Sequence, residues 1–336
     1  MTANRRPRIA LVIGDPSGIG SELVARLLAD PETLHLADVL VIADPHELAK
    51  GMVIAGQRVE LQRVDSLSSV FFGQQPLLLP HPAEPSHTFQ FGVCSPEAGA
   101  YALKTLETAL KAAKTAVVDA IVFAPLNKHA LHLAGMPSSD EMHWFTSQLT
   151  HAGPTCEFNV LDGLWTSRVT SHIALKDVAG QITRAGVTQA IELLHHAIRR
   201  SGVANPRLAV CGLNPHNGDN GSFGREEIDT IGPAVASAVA NGIPVEGPFA
   251  ADTLFLKVQG EQRQFDGIVT MYHDQGQIAM KLMGFWRGVT VQGGLPIPIL
   301  TPAHGTAFDI AGQGKANAGA IKQAFQLACR MAQAYP

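Results

Sequence analysis

Short apolar runs rich in Val, Ile, Leu and Ala recur along the chain. Each gives way to a polar turn and then to a stretch with helical spacing. Arg8 to Ile13 (RIALVI), Val39 to Ala43, Val117 to Phe123 (VVDAIVF), Cys156 to Leu161, Trp165 to Thr170, Arg207 to Leu213 (RLAVCGL) and Ile268 to Met271 read as strands. Helical spacing marks Glu22 to Leu28, Pro45 to Ala55, Ser95 to Ala113, Thr183 to Arg200 and Arg225 to Ala240. Ser95 followed by Pro96 is a helix start, and Ser201-Gly202 and Asn241-Gly242 are helix stops. Pro76 to Phe91, rich in Pro and His, reads as irregular. Alternating strands and helices predict an α/β fold with a largely parallel, doubly wound sheet.

At 336 residues the chain suits two domains or one large α/β unit, and 46% hydrophobic residues suffice for a sizeable core. A net charge of -4 without a basic block argues against nucleic acid or an anionic membrane as the main partner. The start, MTANRRPRIALVIG, lacks the apolar core and cleavage site of a signal peptide, and no apolar run reaches membrane-span length. A cytoplasmic location is expected. Cys94, Cys156, Cys211 and Cys329 are widely spaced and form no C-x-x-C pair, so reduced thiols are expected.

The polar groups that follow the strands carry the chemistry. Gly14-Asp15-Pro16-Ser17-Gly18-Ile19-Gly20 follows the first strand but is neither a P-loop nor the G-x-G-x-x-G fingerprint. It suits a tight structural connection as well as a ligand loop. His172, His216 and His273 each follow an apolar strand, in RVTSH, RLAVCGLNPH and GIVTMYH. Three strand ends of one sheet can converge, and neutral imidazole is a transition-metal ligand, so these three are the expected metal site. Three ligands with open positions is a catalytic arrangement. A metal there could hold a substrate hydroxyl and its carboxylate, lowering the alcohol's pKa. Asp252, Lys281 and Lys128 are the candidate proton carriers or carboxylate binders, and Asp274 is a candidate acceptor orienting an imidazole. Lys128 lies on the first turn of a helix that Asn127 can cap, where a cation needs an anionic neighbour. MPSSDEMHWFTSQLTH, Met136 to His151, is expected to be a loop and helix near a substrate. In HGTAFDIAGQGKAN, His304 to Asn317, Gly305, Gly312 and Gly314 would let backbone approach a ligand closely.

GDPSGIGSE, APLNK, SHIAL, GLNPHNGDNGSFGREE, MYHDQG, GPFAADTLF and HGTAFDIAGQGKAN together resemble the 4-hydroxythreonine-4-phosphate dehydrogenase (PdxA) family of vitamin B6 biosynthesis, through nearly the whole chain. HGTAFDIAGQGKAN is also similar to the nucleotide loop of the isocitrate and 3-isopropylmalate dehydrogenases, whose fold this family shares. The resemblance implies two α/β domains with an interdomain cleft. Domain 1 would comprise residues 1–135 plus 290–336, and domain 2 residues 136–289. It implies a homodimer with the active site at the subunit interface. A divalent ion (Zn, Co, Ni, Mn or Mg) would be held by His172, His216 and His273 drawn from both subunits. NAD or NADP would lie on His304, Gly305, Thr306, Ala307, Asp309, Ile310 and Asn317. The alcohol β to a carboxylate would be oxidised and the keto acid would lose carbon dioxide.

Two departures direct the substrate expectation. The family's Gly-His-Thr-Glu region reads SSDEMHWF here, leaving Asp140, Glu141 and His143 as candidate substrate contacts. In VTVQGGLPIPILTP, Thr290 and Ile299 stand where the family has Asn and Arg, and isoleucine cannot replace a bidentate guanidinium. Trp144, Phe145 and Ile299 suit an apolar ring, so a non-phosphorylated hydroxy acid such as a cis-dihydrodiol carboxylate is expected. The alternatives are 4-hydroxythreonine 4-phosphate or a phosphorylated threonate or erythronate. A non-catalytic dimer that binds metal and nucleotide is the alternative of another class.

Overall fold

In Arg8–Val12 (β1) every residue after the first is buried, as in a strand covered on both faces. It belongs to the first of two compact units, Met1–Ala152 with Leu295–Pro336; the second unit is Gly153–Gly294. The computed structural model describes residues 5–83, 88–260 and 263–334, and of Phe285 the backbone alone.

After β1 come β2 (Asp38–Ala43), β3 (Gln62–Arg63), β4 (Leu77–Pro80) and β5 (Ala120–Phe123). The second unit holds β6 (Cys156–Leu161), β7 (Leu164–Arg168), β8 (Leu208–Cys211), β9 (Val245–Phe249), β10 (Gly267–Thr270) and β11 (Val289–Gly293). The chain then returns to the first unit as β12 (Ile299–Pro302). Strand order in the first unit is β3-β4-β2-β1-β5-β12, and every pairing is parallel. In the second unit it is β11-β6-β7-β10-β8-β9. There β7, β10, β8 and β9 run parallel, while β6 is antiparallel to both β7 and β11. Both units therefore have the largely parallel α/β architecture expected.

Side-chain alternation divides the first unit's core. Ala10, Val12, Ile121 and Phe123 join Ala102, Leu106 and Ala109 of the helix Pro96–Lys114 in one apolar cluster. That helix starts as its sequence predicts, with Pro96 in the first turn and Ser95 Oγ accepting the Ala98 N–H at 3.1 Å. Thr183 caps Arg184–Arg200 in the same manner, and Ala190, Ile191, Leu194 and Ile198 are buried.

Three expectations change. Leu77–Pro80 lies within the stretch read as irregular, yet it forms β4, its register on β2 fixed by Leu40↔Leu77 and Leu79 buried; residues 84–87 of that stretch lie outside the described residues. The first unit continues past residue 135, because Met142, Trp144 and Phe145 of the helix Glu141–Gln148 are buried in its core cluster. It resumes at Leu295 and not at 290, because β11 pairs with β6. Finally, Trp144, Phe145 and Ile299 are core residues at 4%, 0% and 0% exposure and so cannot line a pocket for a substrate ring.

All four cysteines are free, and burial pushes the thiols of Cys156, Cys211 and Cys329 up to about 12. Among the described residues no helix is long and apolar enough to cross a membrane.

Candidate active site

The three histidines follow three strands that are direct neighbours, β7, β10 and β8, all parallel and with β10 in the middle. In open parallel sheets ligands bind off the carboxyl ends of the strands. The rings of His172 and His273 lie side by side, centroids 5.6 Å apart. His273 opens the helix His273–Gly284, and its Nδ1 lies 2.7 Å from Asp274 Oδ1. With Nδ1–H donated to that carboxylate, the Nε2 lone pair is left free.

His216 sits differently. It lies in Pro215–Gly221, where His216, Asn217, Asp219 and Asn220 all have positive φ, and its side chain is exposed. Among the described residues no three His, Cys, Asp or Glu side chains are grouped to hold a metal. The chain thus brings His172 and His273 together and leaves His216 apart.

Buried groups that the sequence reading missed shape this edge. Glu227, 4% exposed, accepts the Leu213 and Asn214 N–H groups on Oε1, each at 2.7 Å, and so fixes the exit from β8 that leads to His216. Gln275 joins the ends of β10 and β8, accepting the Met271 N–H at 2.7 Å and donating to the Gly212 carbonyl at 2.8 Å. Arg168, at the end of β7, donates to Glu157 at 2.7 Å, to Asn159 at 3.0 Å and to Ser171 next to His172 at 2.9 Å. Asn159 in turn donates to Thr290 Oγ1 at 3.4 Å across the β6–β11 pair. Asp252 is exposed on the short helix Ala251–Leu254, which touches the His216 turn; Lys281 is exposed on the His273 helix.

In the first unit the candidate substrate residues form one cluster. Asn127 Oδ1 accepts the Ala130 N–H and caps Lys128–Leu133 as expected, placing Lys128 at the first turn. The anionic neighbour that this lysine requires is Glu141, 3.4 Å from its Nζ. Asp140 caps the following helix by accepting the His143 N–H at 2.9 Å, and His143 Nδ1 lies 2.6 Å from the same oxygen. Burial works to raise the Asp140 pKa, but the His143 N–H groups and the Lys128 charge outweigh it and hold the carboxyl below the usual range. Lys128, Asp140, Glu141 and His143 thus offer cationic and hydrogen-bonding groups on adjoining helix starts.

His304 to Asn317 is a run of turns between β12 and the helix Gly319–Gln333. His304 Nδ1 donates to the Gly305 carbonyl at 3.0 Å, and burial lowers its pKa against the raising effect of that bond; its buried Nε2 has no hydrogen-bond partner. The glycines differ in purpose. Gly312 and Gly314 have positive φ and pack against Phe91 and the Ile54 carbonyl, whereas a Cβ on Gly305 would meet nothing within 4 Å. Thr306 and Ala307 follow Gly305, Ala307 with φ 46°; Ile310 N–H donates to the Ala307 carbonyl, Asp309 is exposed, and Asn317 Oδ1 accepts the Gly319 N–H at 2.8 Å.

The turn after β1 is a tight connection: a Cβ on Gly14 would fall 2.2 Å from the Ala124 carbonyl oxygen, and one on Gly20 1.9 Å from that of Ile13. Within it Asp15 is 1% exposed; Oδ1 accepts the Ser17 N–H at 2.8 Å, and Oδ2 has no partner. Burial pushes its carboxyl from the ordinary 3.8 up to about 6, against the lowering effect of Ser17. Because the native state binds this proton more tightly than the unfolded chain, stability falls as pH rises from about 4 to above 6, by about 3 kcal/mol from this group. Urea midpoints of wild type and Asp15→Asn between pH 4 and 8 are expected to differ by that slope; parallel pH profiles would show that Asp15 titrates normally.

The chain belongs to the PdxA family: residues 35–328 match the family described as "Pyridoxal phosphate biosynthetic protein PdxA". A Pseudomonas aeruginosa protein, provisionally named 4-hydroxythreonine-4-phosphate dehydrogenase 2, is 59% identical over 332 residues, covering 98% of both chains. D-threonate 4-phosphate dehydrogenase of Pectobacterium atrosepticum is 37% identical, covering 96% of this chain and 99% of its own. The crystal structure of 4-hydroxythreonine-4-phosphate dehydrogenase from Klebsiella pneumoniae superimposes with a TM-score of 0.84 at 33% identity, over 98% of this chain and 100% of that one. Terephthalate 1,2-cis-dihydrodiol dehydrogenase from Burkholderia xenovorans gives 0.64 at 25% identity, over 94% and 95%. The chain is accordingly an NAD(P)-dependent oxidoreductase acting on a CH–OH group. These relatives favour the phosphorylated alternatives over the dihydrodiol expectation, and Trp144, Phe145 and Ile299, expected to suit a ring, are core.

Proposed function

We propose that the protein oxidises a phosphorylated four-carbon hydroxy acid, of the 4-hydroxythreonine 4-phosphate or D-threonate 4-phosphate type, at the hydroxyl β to its carboxylate. The observation that carries this reading is the neighbouring pair His172 and His273 at the ends of adjacent parallel strands, in a chain whose relatives act on such phosphate esters. His172, His216 and His273 would hold a divalent ion. When bound, that ion supplies Lewis acidity toward the substrate hydroxyl and carboxylate. Two adjacent imidazoles suit a transition-metal dication but need further donors. His216 of a second copy is the natural third, which makes the working form a homodimer. Ile278 and Leu282, one turn apart on the His273 helix and 59% and 84% exposed, supply apolar surface for that association.

The remaining residues divide the work. His304, Gly305, Thr306, Ala307, Asp309, Ile310 and Asn317 would hold NAD or NADP, Gly305 leaving its backbone open to a ligand. When bound, the dinucleotide would supply the acceptor for the hydride of the substrate C–H; the hydroxyl proton goes to a side-chain base, for which Asp252, Lys281 and Lys128 are the candidates. The resulting β-keto acid loses carbon dioxide, and the carbanion left behind takes a proton from one of the same groups. Asp140, Glu141, His143 and Thr290 contact the substrate. Position 299, an apolar core residue, supplies no charge toward its phosphate.

The test is NAD(P)H formation by the metal-loaded protein with the two phosphate esters and a cis-dihydrodiol carboxylate side by side. Turnover of a phosphate ester, with the dihydrodiol inert, is expected. Turnover of the dihydrodiol alone would overturn the assignment.

A further inference from the structure

The helix Gly20–Ala29 and the turn before it hold the loop His304–Asn317 at both ends. At the near end the Ile19 N–H donates to the Thr306 carbonyl at 3.1 Å, and Gly18 lies so close that a Cβ would fall 2.9 Å from both Cβ and O of Thr306. At the far end Glu22 Oε1 accepts the Ala316 N–H at 3.0 Å, and Arg26 Nη2 donates to the Gly314 carbonyl at 2.8 Å. The two side chains are also paired with each other, Arg26 Nε and Nη2 lying 3.0 and 2.8 Å from the same Glu22 oxygen. One buried carboxylate oxygen therefore takes three donors and ties one helix turn to two loop positions. Such charge-assisted bonds are stronger than neutral ones, and stronger still out of water.

We propose that Glu22 and Arg26 are positioning residues for the dinucleotide: by fixing the backbone at Gly314 and Ala316 they set the shape of the binding loop without touching the cofactor. This rests on the reading of His304–Asn317 as the nucleotide loop. A loop already ordered loses less conformational freedom when its ligand arrives, so affinity depends on residues that make no contact with it. Removing Arg26 frees the Gly314 carbonyl and leaves the buried Glu22 carboxylate without its cation. Lysine can reach one of these partners but not both in the same geometry.

The experiment compares wild type, Arg26→Ala, Arg26→Lys and Glu22→Gln. Its readouts are the Kd for NAD and NADP, the steady-state constants with the phosphate ester, and amide hydrogen exchange over residues 312–317. Arg26→Ala is expected to weaken dinucleotide binding roughly tenfold. It should raise the dinucleotide KM with kcat held within about twofold and speed exchange at residues 314–316, while Arg26→Lys recovers part of the loss. Glu22→Gln, which keeps an acceptor but loses the charge, should fall between. If the Glu22 variant does not fold, the Arg26 variants carry the test, since that side chain is partly exposed. Unchanged Kd in folded variants of a wild type that binds NAD or NADP would overturn the positioning role alone. Faster exchange without a change in Kd would do the same, as would a fall in kcat at constant KM. A wild type that binds neither dinucleotide would remove the nucleotide-loop reading and this proposal with it.

Discussion

His273→Ala is expected to leave the purified protein without stoichiometric metal and to lower turnover of the phosphate ester on the order of a thousandfold, the equivalent of the several kcal/mol a Lewis acid supplies to developing charge. The substitution falls at the start of a helix and buries nothing new, so the thermal midpoint of the metal-free protein should hardly move. That combination separates a ligand from a structural histidine, whose loss would appear in the melt. Asp274→Asn removes only the acceptor 2.7 Å from Nδ1. It should weaken metal binding roughly 10- to 100-fold, the usual range for a partner that orients a ligating imidazole. Metal analysis and NAD(P)H formation on the same preparations decide the matter: full metal content and full turnover in His273→Ala would exclude the ligand role.

Phe145→Ala is expected to cost about 3–5 kcal/mol of stability, the range for deleting a buried aromatic from a core that cannot close over the gap. Phe145 has no exposed surface, and its ring packs tilted against Phe123 of β5 at 5.7 Å and edge-on against Trp144 at 5.2 Å. Denaturant midpoints measure the loss. Were Phe145 part of a substrate pocket, the same substitution would change KM and leave stability nearly intact. A midpoint within experimental error of wild type would contradict its place in the core.

The strands that carry chemistry were legible because each is a continuous apolar run ended by polar residues, and their helices because Ser95, Asn127 and Thr183 are capping residues that act as caps. The histidines were visible for the same reason: apolar strand, then imidazole. What escaped depended on partners far away in sequence. Glu22, Asp15 and Glu227 read as ordinary charges, yet their carboxyls are buried, and Glu22 bonds a loop at the opposite end of the chain. The segment Glu141–Gln148 mixes polar and aromatic residues, so its sequence suggested a surface facing ligand. Only the packing of Trp144 and Phe145 on the first unit's core shows which face is inside. β4 was missed because Leu77–Pro80 is a short run in a proline-rich stretch, and its parallel neighbour β2 makes it a strand.

The pairing of β6 with β11 brings Cys156 opposite Gly293, so the second unit begins and ends on two adjacent antiparallel strands. A segment whose two ends lie side by side behaves as an insert that can be exchanged as one block. His172, His216, His273, Asp252, Lys281 and Thr290 travel within that block, while residues 304–317, Lys128 and the Glu22–Arg26 pair stay behind in the host. Under the proposed function, selection on the chemistry of the alcohol would act on one contiguous stretch of gene, with the handling of the dinucleotide inherited unchanged from the flanking sequence.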